Sequence, residues 1–183
     1  SDKPRNLSAI GYCEFTNDCN YEQDQVNLQY TLFITRTYFM DNNKILQVIN
    51  ENVEKAEING SKANKRFFAL AGSDVASYCG DKEVINGDLG NKLNYNSNAC
   101  GGLQTKFTLA PGESKDFAFI VGMKDNDAAN AVIAGYADPA AACQKELDEL
   151  IEYWHSKLNN FQVHTPSDSF NNMVNTWNAY QCF

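Results

Sequence analysis

Two pairs of acidic residues have a spacing that general acid–base catalysis could use. Asp81 and Glu83 lie in a segment rich in Gly, Asn and Asp, and Glu22 and Asp24 precede a run typical of a strand. One member of such a pair could donate a proton while the other accepts one. Loop carboxylates that only face solvent are far commoner, so neither pair by itself predicts an active site.

The cysteines and histidines predict neither a metal site nor a catalytic triad. No two cysteines form a C-x-x-C pair, and no histidine stands at zinc-ligand spacing from them. Six cysteines would permit three disulfides, but a chain of 183 residues can bury a core, so we favour buried free thiols. His155 and His164 match no Ser or Cys motif, and we expect packing or surface roles for both. The cysteines are Cys13, Cys19, Cys79, Cys100, Cys143 and Cys182.

Composition and charge exclude several classes of partner. Fifteen Lys and Arg against 23 Asp and Glu give a net charge of -8, which repels nucleic acid and anionic membrane surfaces. No apolar run approaches the roughly 20 residues that span a bilayer, and the first residues lack the apolar stretch of a signal peptide. Nucleotide-binding, hydrolase and zinc-protease motifs are also missing. We therefore expect a cytoplasmic protein.

Hydrophobic patterning predicts a mainly β region followed by helices. Residues 26–40 alternate, with Tyr38 and Met40 on the apolar parity and Thr35 and Thr37 on the polar one, which predicts a long, half-buried strand. A tight turn is expected at residues 110–113, and residues 80–102 read as a long loop. Other strands are predicted at residues 7–15, 45–49, 67–71, 75–79, 103–109 and 117–121.

Two amphipathic helices follow an Ala-rich helical segment at residues 125–135. The first opens at Asp138-Pro139 with an acidic cap and Pro at its first position. The second is expected to begin at about Pro166, with Thr165 as its cap and Asp168 in its first turn. Its apolar stripe requires a partner surface and, if left exposed, would favour self-association. The stripe consists of Phe170, Met173, Val174, Trp177 and Tyr180.

Three stretches carry a resemblance to a known family over nearly the whole chain. They are RFFALAGSDVASYCGDKEV at residues 66–84, NACGGLQTKFTLAPGESKDFAFIVG at 98–122, and YWHSKLNNFQVHTPSDSFNNMVNTWNAYQCF at 153–183. The last contains Thr-Pro-Ser-Asp followed by Asn-x-Trp-x-x-Tyr-Gln. Together they resemble the disaccharide phosphorylases of glycoside hydrolase family 94, most closely the cellodextrin and cellobiose phosphorylases.

The resemblance implies a fold and a division of labour. Residues 1–138 would form part of an antiparallel, galactose-mutarotase-like β-supersandwich. Residues 139–183 would form two linker helices leading towards an (α/α)6 barrel. The family's catalytic Asp and phosphate-binding residues lie in that barrel, and no residue of this sequence matches them. The resemblance thus implies no catalytic residue here, no metal or organic cofactor, and inorganic phosphate as the parent's co-substrate.

The function implied is that of a non-catalytic scaffold or interface segment. The parent reaction would be inverting phosphorolysis of cellodextrin or cellobiose to α-glucose 1-phosphate and a shortened sugar, with a β-glucan oligosaccharide as ligand. The implied partners are the parent's barrel and a second copy in a homo-oligomer. The alternative is a free-standing carbohydrate-binding module in which Tyr38, Tyr78 or Tyr95 stacks on a sugar ring.

Overall fold

The computed structural model describes residues 2–16, 35–49, 65–81, 89–94 and 98–181. It divides the chain into two compact units, Ser1–Ala140 and Ala141–Phe183. The strands are β1 (Arg5–Glu14), β2 (Thr35–Met40), β3 (Lys44–Ile49), β4 (Lys65–Ala71), β5 (Ser77–Cys79), β6 (Cys100–Leu109) and β7 (Ala118–Gly122). The helices are α1 (Asn126–Ala134), α2 (Pro139–Leu158), α3 (Asp168–Asn172), a π-helical turn (Met173–Trp177) and α4 (Asn178–Gln181).

The strands form two antiparallel sheets. The first has the order β1-β6-β5 and the second the order β2-β3-β4-β7. In the first sheet Gly11 lies opposite Leu103, and in the second Phe67 lies opposite Gly122. The mainly β fold with helices at the C-terminal end confirms the fold class that the sequence predicts, and the predicted strands are present with ends shifted by a few residues.

The second sheet is covered on both faces, because the first sheet packs on one side of it and α1 on the other. Strand β4 shows this directly. Phe68 and Leu70 contribute to the core between the sheets, whereas Phe67 and Ala69 pack in the core that also contains Ile133 of α1. A strand buried on both faces is a continuous apolar run rather than an alternating one.

This double coverage explains an error in the sequence prediction for β2. The alternation placed Thr35 and Thr37 on the polar, exposed parity, but both side chains are buried. Thr37 Oγ1 accepts a hydrogen bond of 2.6 Å from the backbone N–H of Asn94, so its hydroxyl is satisfied inside the protein. The opposite parity is also covered, since Met40 packs against the core under α1. Residues 26–34 of the predicted strand lie outside the described residues.

The predicted turn at residues 110–113 is confirmed. Glu113 N–H donates to Ala110 O at 3.1 Å, and Gly112 has φ of +79°, as the third position of a type II turn requires. The Glu113 carboxylate also accepts from Ala110 N–H at 2.8 Å. The turn links strands β6 and β7, which belong to different sheets, and so carries the chain from one layer to the next.

Helix α2 begins at Pro139 as predicted, but the terminal helix begins two positions later than expected. Ser167, not Thr165, is the cap, and its Oγ accepts from Phe170 N–H at 3.3 Å. Thr165 lies before the cap, where its N–H and hydroxyl both donate to Asn171 Oδ1, at 2.8 and 2.9 Å. Asp168 does lie in the first turn, where the helix dipole favours an acid.

Candidate functional site

The carboxylate pairs do not assemble an acid–base site among the described residues. Asp81 is described, and its backbone pairs with a neighbouring thiol: Cys79 Sγ donates to Asp81 O at 3.2 Å and accepts from Asp81 N–H at 3.4 Å. Glu83, Glu22 and Asp24 lie outside the described residues. No group of His, Cys, Asp or Glu side chains suited to a metal ion occurs within the described part of the chain.

Three cysteines lie near one another, and none of them forms a disulfide. Cys79 and Cys100 are buried in one small apolar cluster with Leu89, and Cys13 is half-buried in β1. Burial raises the pKa of Cys100 to about 12, and the nearby Cys79 adds to the effect. Burial likewise raises the pKa of Cys13 to about 11. Cys13 and Cys100 therefore stay protonated near neutral pH, which disfavours nucleophilic chemistry at these two thiols.

The tyrosines proposed as sugar-stacking residues do not form a platform among the described residues. Tyr78 stacks against Phe39 with ring centroids 3.9 Å apart and planes at 12°, so that aromatic face is taken by the core between the sheets. Tyr38 is half-buried in β2. Tyr95 lies outside the described residues.

A polar cleft of about 460 Å³ lies where β4 ends beside the end of α1. Its lining combines apolar residues such as Leu70 and Ile133 with the polar residues Asn43, Asp74 and Lys115 and with Tyr136. Gly72 follows β4 with φ of +77°, and a Cβ there would overlap Pro139 Cγ, so glycine is required for this close approach. The cleft offers donors, acceptors and one aromatic ring, which suits binding of a small polar molecule rather than catalysis.

A buried lysine beside this cleft was missed by sequence reasoning. The Lys44 side chain is fully buried, and its Nζ donates to Asp41 Oδ2 at 2.7 Å and to Asn130 Oδ1 at 2.6 Å. It also donates to Asn43 Oδ1 at 3.3 Å. The group ties the turn between β2 and β3 to α1, because Asn126 and Asn130 also donate to Asp41.

The hydrogen bonds of this group stabilise the ionised form of Asp41. The hydrogen bond from Lys44, followed by those from the two asparagines of α1, lowers the pKa of Asp41 to about 2. One sequence signal could have pointed to the group: Asp41-Asn42-Asn43 is a turn sequence in which the first two residues adopt positive φ, at 50° and 57°. That turn places Lys44 at the first position of β3.

The apolar stripe of the terminal helix is exposed in the structure. Trp177 and Tyr180 have 60% and 68% of their surface accessible, and their rings meet edge to face at 5.9 Å. Phe170 and Met173 are also exposed, whereas Val174 is half-buried. The structure therefore brings aromatic groups together on this helix without covering them.

Comparison with known families identifies the family to which this chain belongs. Residues 1–139 match the supersandwich domain of glycosyl hydrolase 94, which is most of the chain. The chain belongs to glycosyl hydrolase family 94. The supersandwich expected from the resemblance is thus confirmed, and residues 153–183 match the catalytic domain of the family 94 superfamily. That second match begins within α2 and includes the whole exposed stripe.

Similar curated proteins in and around family 94 act on different sugars. The chain is 28% identical over 195 residues to an N,N′-diacetylchitobiose phosphorylase of Vibrio furnissii and 26% identical over 196 residues to that of Vibrio proteolyticus. Each alignment covers 99% of this chain but 23% of the relative. The cyclic β-(1,2)-glucan synthase NdvB of Rhizobium meliloti (strain 1021) is 31% identical over 129 residues, which are 68% of this chain and 4% of that protein.

These relatives support family 94 but not the cellodextrin or cellobiose specificity suggested by the resemblance. Both Vibrio proteins are named as phosphorylases of a disaccharide.

Among the helices that the structure describes, none is both long and apolar enough to cross a bilayer.

Proposed function

We propose that this chain is a non-catalytic scaffold segment of an inverting disaccharide phosphorylase of family 94. The observation that carries the proposal is the match of residues 1–139 to the supersandwich domain, and the chain spans only 23% of the length of the Vibrio phosphorylases. The parent's general acid would protonate the glycosidic oxygen while phosphate attacks the anomeric carbon. Phosphate takes the place of water in an inverting hydrolase, so one carboxylic acid suffices where hydrolases use two.

The parent's substrate is proposed as a β-linked disaccharide. The resemblance favours cellodextrin or cellobiose, and the Vibrio relatives favour N,N′-diacetylchitobiose. The two sugars differ in the groups at C2 of each ring, a hydroxyl or an N-acetyl group. The donor sugar phosphates would be α-glucose 1-phosphate and α-N-acetylglucosamine 1-phosphate, which makes the choice experimentally separable.

The test is release of inorganic phosphate by the purified 183-residue chain in the synthetic direction. One arm supplies α-glucose 1-phosphate with glucose or cellobiose, and the other α-N-acetylglucosamine 1-phosphate with N-acetylglucosamine. The scaffold proposal expects no release above a heat-denatured control in either arm. Release that persists through repurification and rises linearly with chain concentration would overturn it, and the active arm would identify the sugar.

The polar cleft supports a second candidate, a carbohydrate-binding role. Asn43 is oriented by the bond from Lys44 to its Oδ1, and Tyr136, which also packs against the core under α1, lines the same cleft. Planar polar side chains beside an aromatic ring suit a sugar. Titration with cellobiose or N,N′-diacetylchitobiose should then shift the amide resonances of residues 72–74 and 136–137. Absence of any shift at millimolar sugar would reject this candidate.

The partners and location of the parent complete the proposal. The exposed stripe of the terminal helix would pack on the rest of the parent's catalytic domain, and the parent would be a homo-oligomer. A cytoplasmic location is supported by the free thiols of Cys13, Cys79 and Cys100, because such thiols persist in reducing compartments.

A further inference from the structure

Two asparagines of the terminal helix pair with the backbone of the segment that precedes it. Asn175 Nδ2 donates to Val163 O and its Oδ1 accepts from Val163 N–H, both at 2.9 Å. Asn171 Nδ2 donates to Thr165 O at 2.9 Å, and its Oδ1 accepts from Thr165 N–H at 2.8 Å. Each amide side chain therefore reproduces the pair of hydrogen bonds that a neighbouring β-strand would make.

The spacing of the two pairs explains why they form together. Two residues of an extended segment advance about 6.6 Å. Four residues of a helix advance about 6 Å. Asn171 and Asn175 are four residues apart, so their amides match Val163 and Thr165, with the helix running antiparallel to the segment.

A π-helical turn contains Asn175, which pairs with Val163. Residues Met173–Trp177 are wound more widely than an α-helix, and Asn178 N–H donates to Met173 O, five residues back. Such turns change the direction of the side chains they contain and occur frequently at functional positions. Asn175 is at the centre of the turn, so its amide direction depends on it.

We propose that Asn171 and Asn175 form a two-point lock that fixes residues 163–165 along the terminal helix. The lock sets the path by which the chain leaves α2 and enters the helix that carries the exposed Trp177–Tyr180 pair. The helix is thereby oriented before a partner packs on it, which lowers the entropy cost of docking. The proposal does not depend on the phosphorylase function, because it concerns only the joint between residues 163–165 and the terminal helix.

The lock also assigns a role to a motif that the function left unexplained. Thr165 and Asn175 both belong to the sequence pattern that carries the family resemblance, and both have their hydrogen-bonding groups engaged within the joint. The Thr165 hydroxyl donates to Asn171 Oδ1 at 2.9 Å and accepts from Ser167 N–H at 3.2 Å. We therefore assign the motif to chain geometry rather than to sugar recognition.

Residue-resolved amide exchange on the 183-residue chain tests the lock without any substitution. Val163 and Thr165 donate their N–H groups to the asparagines, whereas His164 N–H, between them, has no partner among the described residues. After correction for intrinsic rates, Val163 and Thr165 should exchange at least about tenfold more slowly than His164. Equal rates for all three amides would overturn the proposal.

Three single substitutions then locate the two points. Asn171→Ala should accelerate exchange mainly at Thr165, and Asn175→Ala mainly at Val163. Asn172→Ala is the matched control, because Asn172 lies in the same helix and makes no capping bond. Alanine favours the helix at all three positions, so the helix is retained. If Asn172→Ala accelerates the two amides as much as the others do, general loosening explains the effect and the lock is rejected.

Discussion

A steric test at Gly11 probes the packing of the two sheets. Gly11 lies in β1, and an added Cβ would come within 2.5, 2.6 and 2.7 Å of three ring carbons of Phe119 in β7. Ordinary carbon contacts are about 3.5–4.0 Å, so the overlap is about 1 Å. Phe119 cannot easily turn away, because its ring stacks on Phe68 at 5.5 Å and meets Phe117 edge to face at 5.7 Å.

The cost of Gly11→Ala follows from two opposing terms. Forcing one carbon into a packed interface costs about 1–3 kcal/mol. Replacing glycine by alanine in a strand recovers about 0.5–1 kcal/mol of backbone entropy. The net loss in unfolding free energy should lie between about 0 and 2.5 kcal/mol, and a loss of about 1 kcal/mol, near the middle of that range, lowers Tm by about 2–4 °C in a chain of this size.

In the Phe119→Ala background, the effect of Gly11→Ala on the unfolding free energy should change sign. Once the ring is removed, Gly11→Ala should be neutral or stabilising, because only the entropy term remains. Gly112→Ala is the control: its Cβ would meet nothing within 4 Å, so its cost comes from positive φ alone and should be the same in both backgrounds.

The assay is urea unfolding followed by far-UV circular dichroism at a β-sheet wavelength. Tryptophan fluorescence is unsuitable, because Trp154 and Trp177, the two tryptophans, both belong to the C-terminal unit. Equal costs of Gly11→Ala with and without the Phe119 ring would refute the close approach of β1 and β7.

Three further predictions concern charge and thiols. Lys44→Met should lower the unfolding free energy by about 1–3 kcal/mol, because the buried Nζ loses its charge-assisted hydrogen bonds to Asp41 and Asn130. Lys145→Met, on the exposed face of α2, should change it by less than about 0.5 kcal/mol in urea titrations. Because the pKa of Asp41 is lowered from 3.8 to about 2 in the folded state, its stabilisation is complete above about pH 4 and is lost between about pH 4 and pH 2; Asp41→Asn should weaken the pH dependence of stability in that window. Maleimide at pH 7.5 with peptide mapping should label the exposed Cys143 and leave Cys100 unlabelled until urea is added; rapid native labelling of Cys100 would contradict its burial.

The β unit was predictable to the extent that its signals are local. Strand β4 is a short apolar run between polar segments, and the turn at residues 110–113 contains Pro and Gly at the required positions. The error at Thr35 and Thr37 arose because alternation identifies a buried face only when the other face meets water. Coverage of both faces depends on which sheet packs where, and that is not encoded in a local window.

The polar groups could not be derived from composition or periodicity. Lysine is almost always exposed, and the burial of Lys44 depends on Asn130, which is remote in sequence. The predicted cap at Thr165 failed for a local reason, because Ser167 takes the capping bond to Phe170 N–H and Asn171, six residues along the chain, accepts from Thr165.

The family resemblance, and not the candidate catalytic residues, predicted which kind of domain this chain forms. The resemblance predicted the supersandwich and implied no catalytic residue in this chain. Of the two acidic pairs, the structure describes Asp81 alone, and its backbone carbonyl accepts a hydrogen bond from Cys79 Sγ. The sugar on which the parent acts could not be predicted from the resemblance. The two Vibrio relatives are about a quarter identical to this chain, and their names refer to N,N′-diacetylchitobiose rather than to cellobiose.

If this chain supports another domain, as we propose, the exposed stripe of its terminal helix is a docking surface and should self-associate when its partner is absent. Sedimentation velocity across a hundredfold range of concentration measures that association. We expect concentration-dependent association that Met173→Ser with Trp177→Ser abolishes, whereas Phe161→Ser, which removes a similarly exposed aromatic ring outside the helices, leaves it unchanged. A monodisperse monomer at all concentrations, or association insensitive to the helix substitutions, would contradict the proposal.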